Sequence, residues 1–121
     1  MTREQVWHDF WSSFAWPAYD ERDVPDDAKY PYLTYDFQSA DLDTPVYPSI
    51  TLWDRSTSWK SVTEKQDEIA AKINAKPCLP INGEGYLWIV AGTPFYQRGA
   101  DDDDTVRRID INVAALFLTA I

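Results

Sequence analysis

A single cysteine, Cys78, rules out an internal disulfide and fits a reducing compartment. Its neighbours Pro77, Leu79 and Pro80 predict a buried, inert thiol with no electropositive surroundings to activate it. His8 is the only histidine, which leaves no Ser or Cys triad with a base to spare. Glycine is scarce, with four in the chain, and neither Gly83-Glu84-Gly85 nor Gly92-Thr93-Pro94 is a phosphate loop. A P-loop needs Lys-Ser or Lys-Thr after its last Gly, and a dinucleotide loop needs three spaced glycines before a helix. Basic residues are few: 11 Lys and Arg against 20 Asp and Glu, a net charge of −9. No basic cluster exceeds Arg107-Arg108. Displacing counterions along a nucleic-acid backbone needs more than that, so sequence-specific DNA binding is not expected. The longest apolar run, residues 113–121, has about half the length of a membrane-spanning helix. Met1-Thr2-Arg3-Glu4 is followed by no apolar stretch of the signal-peptide kind. No catalytic residue, metal, cofactor or membrane contact is expected.

What the chain does have is apolar and aromatic mass. At 121 residues and 14.0 kDa it reads as one domain, residues 1–121, able to bury a core without disulfides or metals. Hydrophobic residues make up 45% and aromatic residues 15%, which excludes intrinsic disorder. Tryptophan is enriched at interfaces as well as in cores, so six of them point to some lying at a partner surface.

The pattern along the chain predicts six elements. Thr2 and Gln5 fit a capping box, and Val6, Phe10 and Phe14 fall on one helical face beside Trp7 and Trp11, with Pro17 as the stop. Residues 18–29 are acidic and irregular and read as a loop broken by Pro25. Residues 32–37 alternate, with Leu33, Tyr35 and Phe37 on one side and Tyr32, Thr34 and Asp36 on the other. A polar connection leads to a second strand over residues 46–54. Residues 58–74 form the second helix, with Trp59, Val62, Ile69, Ala70 and Ile73 as its stripe and Ser58 or Ser61 as its cap. Residues 76–84 read as a connector with an Asn82-Gly83 turn, and residues 85–92 as the third strand. Residues 93–100 either extend that strand or bend at Pro94. Residues 106–118 form the last strand. The order α-β-β-α-β-β implies an α+β fold, an antiparallel sheet of about four strands with two helices packed on one face. Residues 86–91 and 113–121 are apolar on both faces, and two helices can cover only one of them. The other face calls for a further element or another subunit.

The polar signals are structural in kind. Asp101, Asp102, Asp103 and Asp104 read as a solvated hairpin tip or an electrostatic surface. Calcium loops alternate ligands with spacers and need a Gly for the turn, and four consecutive Asp do neither. Asp54 and Arg55 either pair locally at the end of their strand or bridge two subunits, where a charge pair fixes register more than affinity.

The block over residues 30–74 carries Tyr32-Leu33-Thr34-Tyr35, a polar loop, Ile50-Thr51-Leu52-Trp53-Asp54-Arg55-Ser56, and a helix from Ser58. That order resembles small tailed-phage proteins: the tail terminator, tail-completion and head-to-tail joining proteins. The resemblance implies a structural subunit, not an enzyme. Its copies would form a homo-oligomeric ring, often sixfold, at the head-proximal end of the tail. It would meet tail-tube and head-connector proteins, first in the host cytoplasm and then in the virion. DNA would only pass through, and a negative lumen would not hold it by its phosphates. A ring needs heterologous contacts that close by rotation. Trp53, Asp54, Arg55, Trp88 and Phe117 are the candidate contacts, and the run Asp101 to Asp104 and the loop Asp20 to Asp27 are candidates for the lumen or docking face. The competing reading is a small acidic inhibitor or DNA mimic that binds a basic protein.

Overall fold

The computed structural model describes residues 2–38, 44–81, 85–99 and 103–119. The order is α1 (Arg3–Ser12), β1 (Ala18–Asp20), β2 (Tyr32–Tyr35), β3 (Ser49–Arg55), α2 (Lys60–Asn74), β4 (Cys78–Ile81), β5 (Gly85–Gly99) and β6 (Val106–Thr119). The six strands form one sheet in the order β1-β2-β3-β6-β5-β4.

This corrects the expected four-stranded antiparallel sheet in two places. β1 lies in the stretch read as an acidic loop and pairs parallel to β2, Ala18 opposite Leu33 and Asp20 opposite Tyr35. Three residues are too few for alternation to register, and the carboxylates that follow dominate the local composition. β4 lies in the stretch read as a connector and pairs antiparallel to β5, Cys78 opposite Trp88 and Pro80 opposite Tyr86. Proline signals a break in a central strand, but on an edge strand its missing N–H can face outward at no cost to the ladder. The sheet is therefore mixed and six-stranded.

Local chemistry explains the element ends. The capping box closes as the sequence implies: Gln5 N donates to Thr2 Oγ1 at 3.2 Å and Thr2 N donates to Gln5 Oε1 at 2.8 Å. α1 stops at Ser12, short of Pro17, and Ala15 turns the chain with φ 69°. α2 begins two residues later than its sequence pattern, with Trp59 as N-cap and no side-chain cap bond. Ser58 Oγ accepts instead from the Lys60 N–H at 3.1 Å. β5 continues past Pro94 to Gly99 through a register shift between Ala91 and Tyr96. At that irregularity Gly92 lies so close to Asn112 that a Cβ would sit 2.8 Å from the Asn112 backbone.

One face of the sheet carries the core. Leu33, Ile50, Leu52, Leu87, Ile89, Ile109 and Ile111 are fully buried beneath the helices. α1 adds Val6, Trp7, Phe10 and Trp11, and α2 adds Val62, Ile69 and Ile73 to the same cluster. Trp7 and Trp11 meet edge to face at 5.5 Å, and the Trp7 indole N–H donates to the Asp36 carbonyl at 2.9 Å. α1 touches both β1 and β4, the two edges of the sheet. Six flat strands would hold those edges about 24 Å apart at ordinary strand spacing, and α1 is only about 15 Å long. The sheet therefore curls around its helices.

Candidate interaction surface

Strand alternation sends every second side chain to the face the helices leave uncovered. Over β4, β5 and the C-terminal half of β6 that face is apolar. Trp88 lies opposite Leu116, and Tyr86 opposite Leu118. Trp88 is 38% and Tyr86 49% exposed, and Leu116 and Leu118 are half-buried. Cys78, opposite Trp88, is exposed. The expected buried thiol is thus corrected: β4 is an edge strand, and among the described residues nothing covers this side of it. Tyr47, 69% exposed, follows Val46, which bridges to Ala115 of β6.

Over β2, β3 and the first half of β6 the same face is polar and tied together. The Trp53 indole N–H donates to Thr34 Oγ1 at 3.1 Å. Asp110 Oδ1 accepts from Thr51 Oγ1 at 3.0 Å and from Arg108 Nε at 3.1 Å. The Arg108 guanidinium lies 5.2 Å above the Trp53 ring, and Tyr32 stacks on Trp53 from β2. These bonds fix the polar half without help from a second molecule. Among the described residues the apolar half has no such internal closure.

At the β5–β6 hairpin end, arginines gather. Arg55 donates to Asp103 Oδ2 at 3.4 Å and to Thr105 Oγ1 at 3.0 Å, and covers the Tyr30 ring at 4.9 Å. The Asp103 carboxyl is held below its ordinary value by the Thr105 hydroxyl and backbone N–H, and then by Arg55. Two guanidinium groups lie near the Trp59 ring, Arg98 at 4.3 Å and Arg107 at 5.3 Å from its centre. Arg107 donates to the carbonyls of Asp104 and Thr57, each at 3.0 Å. Arg98 is exposed, and among the described residues no carboxylate forms an ion pair with it.

A hydroxyl–imidazole–hydroxyl chain links α1 to β2. His8 Nδ1 lies 2.8 Å from the Tyr35 hydroxyl, and His8 Nε2 lies 3.2 Å from Ser12 Oγ. The Tyr35 phenol is raised above its ordinary value, first by burial and then by Asp20 and Glu4. Glu4, Asp9 and Tyr35 share an open polar depression with His8. Neither ring nitrogen is held by a carboxylate, and the imidazole is exposed, so the set lacks the base–orienter pair of a nucleophilic triad. The only sequence signal for it is the four-residue spacing of His8 and Ser12 on a helix. A second, apolar depression of about 300 Å³ lies between Val6, Phe10, Lys72, Leu79 and Pro80. Among the described residues no group of acidic, His and Cys side chains has metal-binding geometry, and no helix is long and apolar enough to cross a membrane.

The sequence candidates scatter. Trp88 is on the uncovered apolar half, and Trp53 on the polar half of the same face. Arg55 is exposed at the hairpin end but engaged within its own chain. Asp54 is 7% exposed on the core side, opposite Arg107 in the ladder. Phe117 is buried and packs edge to face on Phe37, so it contributes to the core and not to a surface of this chain. Asp103 and Asp104 are exposed at the start of the last hairpin arm; Asp101 and Asp102, like the Asn82-Gly83 turn, lie outside the described residues. Sequence reasoning missed Tyr86, Leu116 and Leu118 as individual contacts, although their two-faced apolar strands flagged them collectively. It also missed Arg98, whose place over Trp59 depends on β5 running on past Pro94.

Fold and surface together define a class: a curled two-layer α+β domain with a one-sided core and an uncovered, partly apolar sheet face. No family model, no curated protein and no solved structure matches the chain significantly, so relatives add nothing to that description.

Proposed function

We propose that the chain is a structural subunit that assembles with copies of itself, in the manner of the phage tail terminator and head-to-tail joining proteins that its sequence resembles. The observation that carries this reading is the uncovered apolar half of the sheet around Tyr86, Trp88, Leu116 and Leu118. A contiguous apolar patch on an otherwise acidic surface is the mark of an interface. The occupant is a second copy of the chain. The net charge of −9 keeps free subunits apart until that patch is covered, and it gives the assembled surface a sign that repels DNA phosphates. In a ring around a passing genome, repulsion of that kind leaves the duplex free to move.

The test is the mass of the purified protein by light scattering across concentration and salt, alone and with tail-tube protein. A discrete multiple of the 14.0 kDa chain, near six, is the expected result, together with arrest of tube growth. Trp88→Ser should reduce that mass without unfolding the subunit. A strict monomer under every condition, tubes included, overturns the reading. A monomer that forms an equimolar complex with a basic protein would establish the inhibitor function in its place.

A further inference from the structure

The two free edges of the sheet are complementary in position and in charge. Ala18, Leu33, Leu52, Ile109 and Arg98 occupy one continuous row across five strands, each opposite the next in the ladder. β1 ends that row on one side. On the other it ends at β5 beyond the part that β4 covers, because β4 pairs only with Gly85 to Trp88. Among the described residues neither end of the row has a further strand beside it. Unpaired edges of this kind present backbone donors and acceptors that another strand can take up.

The loop after β1 is net acidic despite Arg22 and Lys29, while the β5 end sets an arginine beside the exposed Asp103 and Asp104. The loop that leaves β1 carries Glu21, Asp23, Asp26 and Asp27, all exposed and none in an ion pair among the described residues. The β5 end carries Arg98, whose guanidinium lies over the Trp59 ring at 4.3 Å, with that of Arg107 5.3 Å from the same ring. A guanidinium held over an aromatic ring loses rotamer freedom, and its N–H groups can still take a carboxylate. Arg55 and Arg108 are already engaged with Asp103 and Asp110 of their own chain. Arg98 is the arginine of this group with neither a carboxylate nor a carbonyl partner among the described residues.

Resting on the self-assembly reading above, we infer that the contact between neighbouring copies is edge to edge and head to tail. The β1 edge of one copy meets the Tyr96–Gly99 stretch of β5 in the next, and the carboxylates after β1 close on its Arg98. The two surfaces differ, so the contact is heterologous: after it forms, one copy still has its β5 edge free and the other its β1 edge. Such a contact propagates or closes into a ring and cannot stop at a two-fold dimer. The apolar face around Trp88 is a further contact between copies, the one on which the self-assembly reading rests.

The experiment is charge exchange, read by light scattering and by analytical ultracentrifugation at low and high salt. Arg98→Glu and the double variant Asp23→Lys with Asp26→Lys change exposed side chains, and unchanged circular dichroism and thermal midpoints will establish that both still fold. Each variant alone should associate about tenfold more weakly or worse, because an attraction becomes a like-charge contact. Mixed in equal amounts they should assemble again, since the acidic loop of one faces Arg98 of the other and the lysine loop of the second faces the new glutamate. High salt should shrink the difference between Arg98→Glu and the wild type, because it screens this contact. Assembly of Arg98→Glu at wild-type strength, or no recovery on mixing, overturns this contact and leaves self-assembly standing. A wild-type chain that never assembles overturns both.

Discussion

Two tryptophans on opposite faces of one sheet give a direct test of where the core ends. Trp7 is 1% exposed, packs edge to face on Trp11, and spends its N–H on the Asp36 carbonyl. Replacing it with alanine removes about 150–250 Å² of buried aromatic surface, or roughly 4–6 kcal/mol at 25 cal/mol per Å². Measured large-to-small changes at such sites cost about 3–5 kcal/mol. Total stability for a domain of this size is about 5–15 kcal/mol, so Trp7→Ala should consume a large part of it. With a urea slope near 2 kcal/mol per molar, the midpoint should fall by about 2 M. Trp88 is 38% exposed on the face the helices leave bare, so Trp88→Ala should cost about 1 kcal/mol in dilute solution. Urea unfolding followed by far-ultraviolet circular dichroism avoids the fluorescence that the substitutions remove. A Trp7→Ala loss below about 1 kcal/mol would falsify the packing of α1 described above. Equal losses at the two positions under dilute conditions would mean that the sheet is covered on both sides within one chain.

Two further outcomes follow from particular contacts. Gly92→Ala should destabilise by about 1–3 kcal/mol, seen as a lowered thermal midpoint, because its Cβ would press on Asn112 backbone atoms at 2.8 Å and the β5–β6 ladder would have to open. An unchanged midpoint would mean that the strands are farther apart there. In an ultraviolet titration Tyr35 should ionise above the ordinary phenol value of 10.0, since burial, Asp20 and Glu4 all favour the neutral form. Its contribution to stability is intact below that value and is lost as pH rises through the higher folded-state value. A Tyr35→Phe variant whose titration curve loses nothing above the ordinary phenol value would contradict that assignment.

Periodicity exposed the parts of this fold that are long and one-sided. Leu33 and Tyr35, Ile50 and Leu52, and Ile109 to Val113 alternate in the sequence as they do in the sheet, and the α2 stripe of Val62, Ile69 and Ile73 is buried as spaced. The two short edge strands were illegible for a physical reason. Ala18 to Asp20 and Cys78 to Ile81 are held by one neighbour each, so little in their own composition has to specify them. The acidic run after Asp20 and the prolines around Cys78 then argue for loops. The same limit hid the surface. Trp88 stands out by residue type, but Phe117 is equally apolar and buried, and only the register separates them. Arg98 gained its place from β5 crossing an irregularity at Pro94, which a local pattern reads equally well as a bend.

β6 follows the other five strands in the chain, yet it lies in the middle of the sheet between β3 and β5. During synthesis both flanks are therefore made before the strand that joins them. Residues 18–55 can form a three-stranded piece, and residues 78–99 can form a hairpin, but neither piece can dock along a common ladder until residues 106–119 have left the ribosome. Commitment to the fold thus comes late. A nascent chain exposes the Leu52 and Leu87 edges together until then, and any interruption of translation before Val106 leaves two half-sheets with no centre.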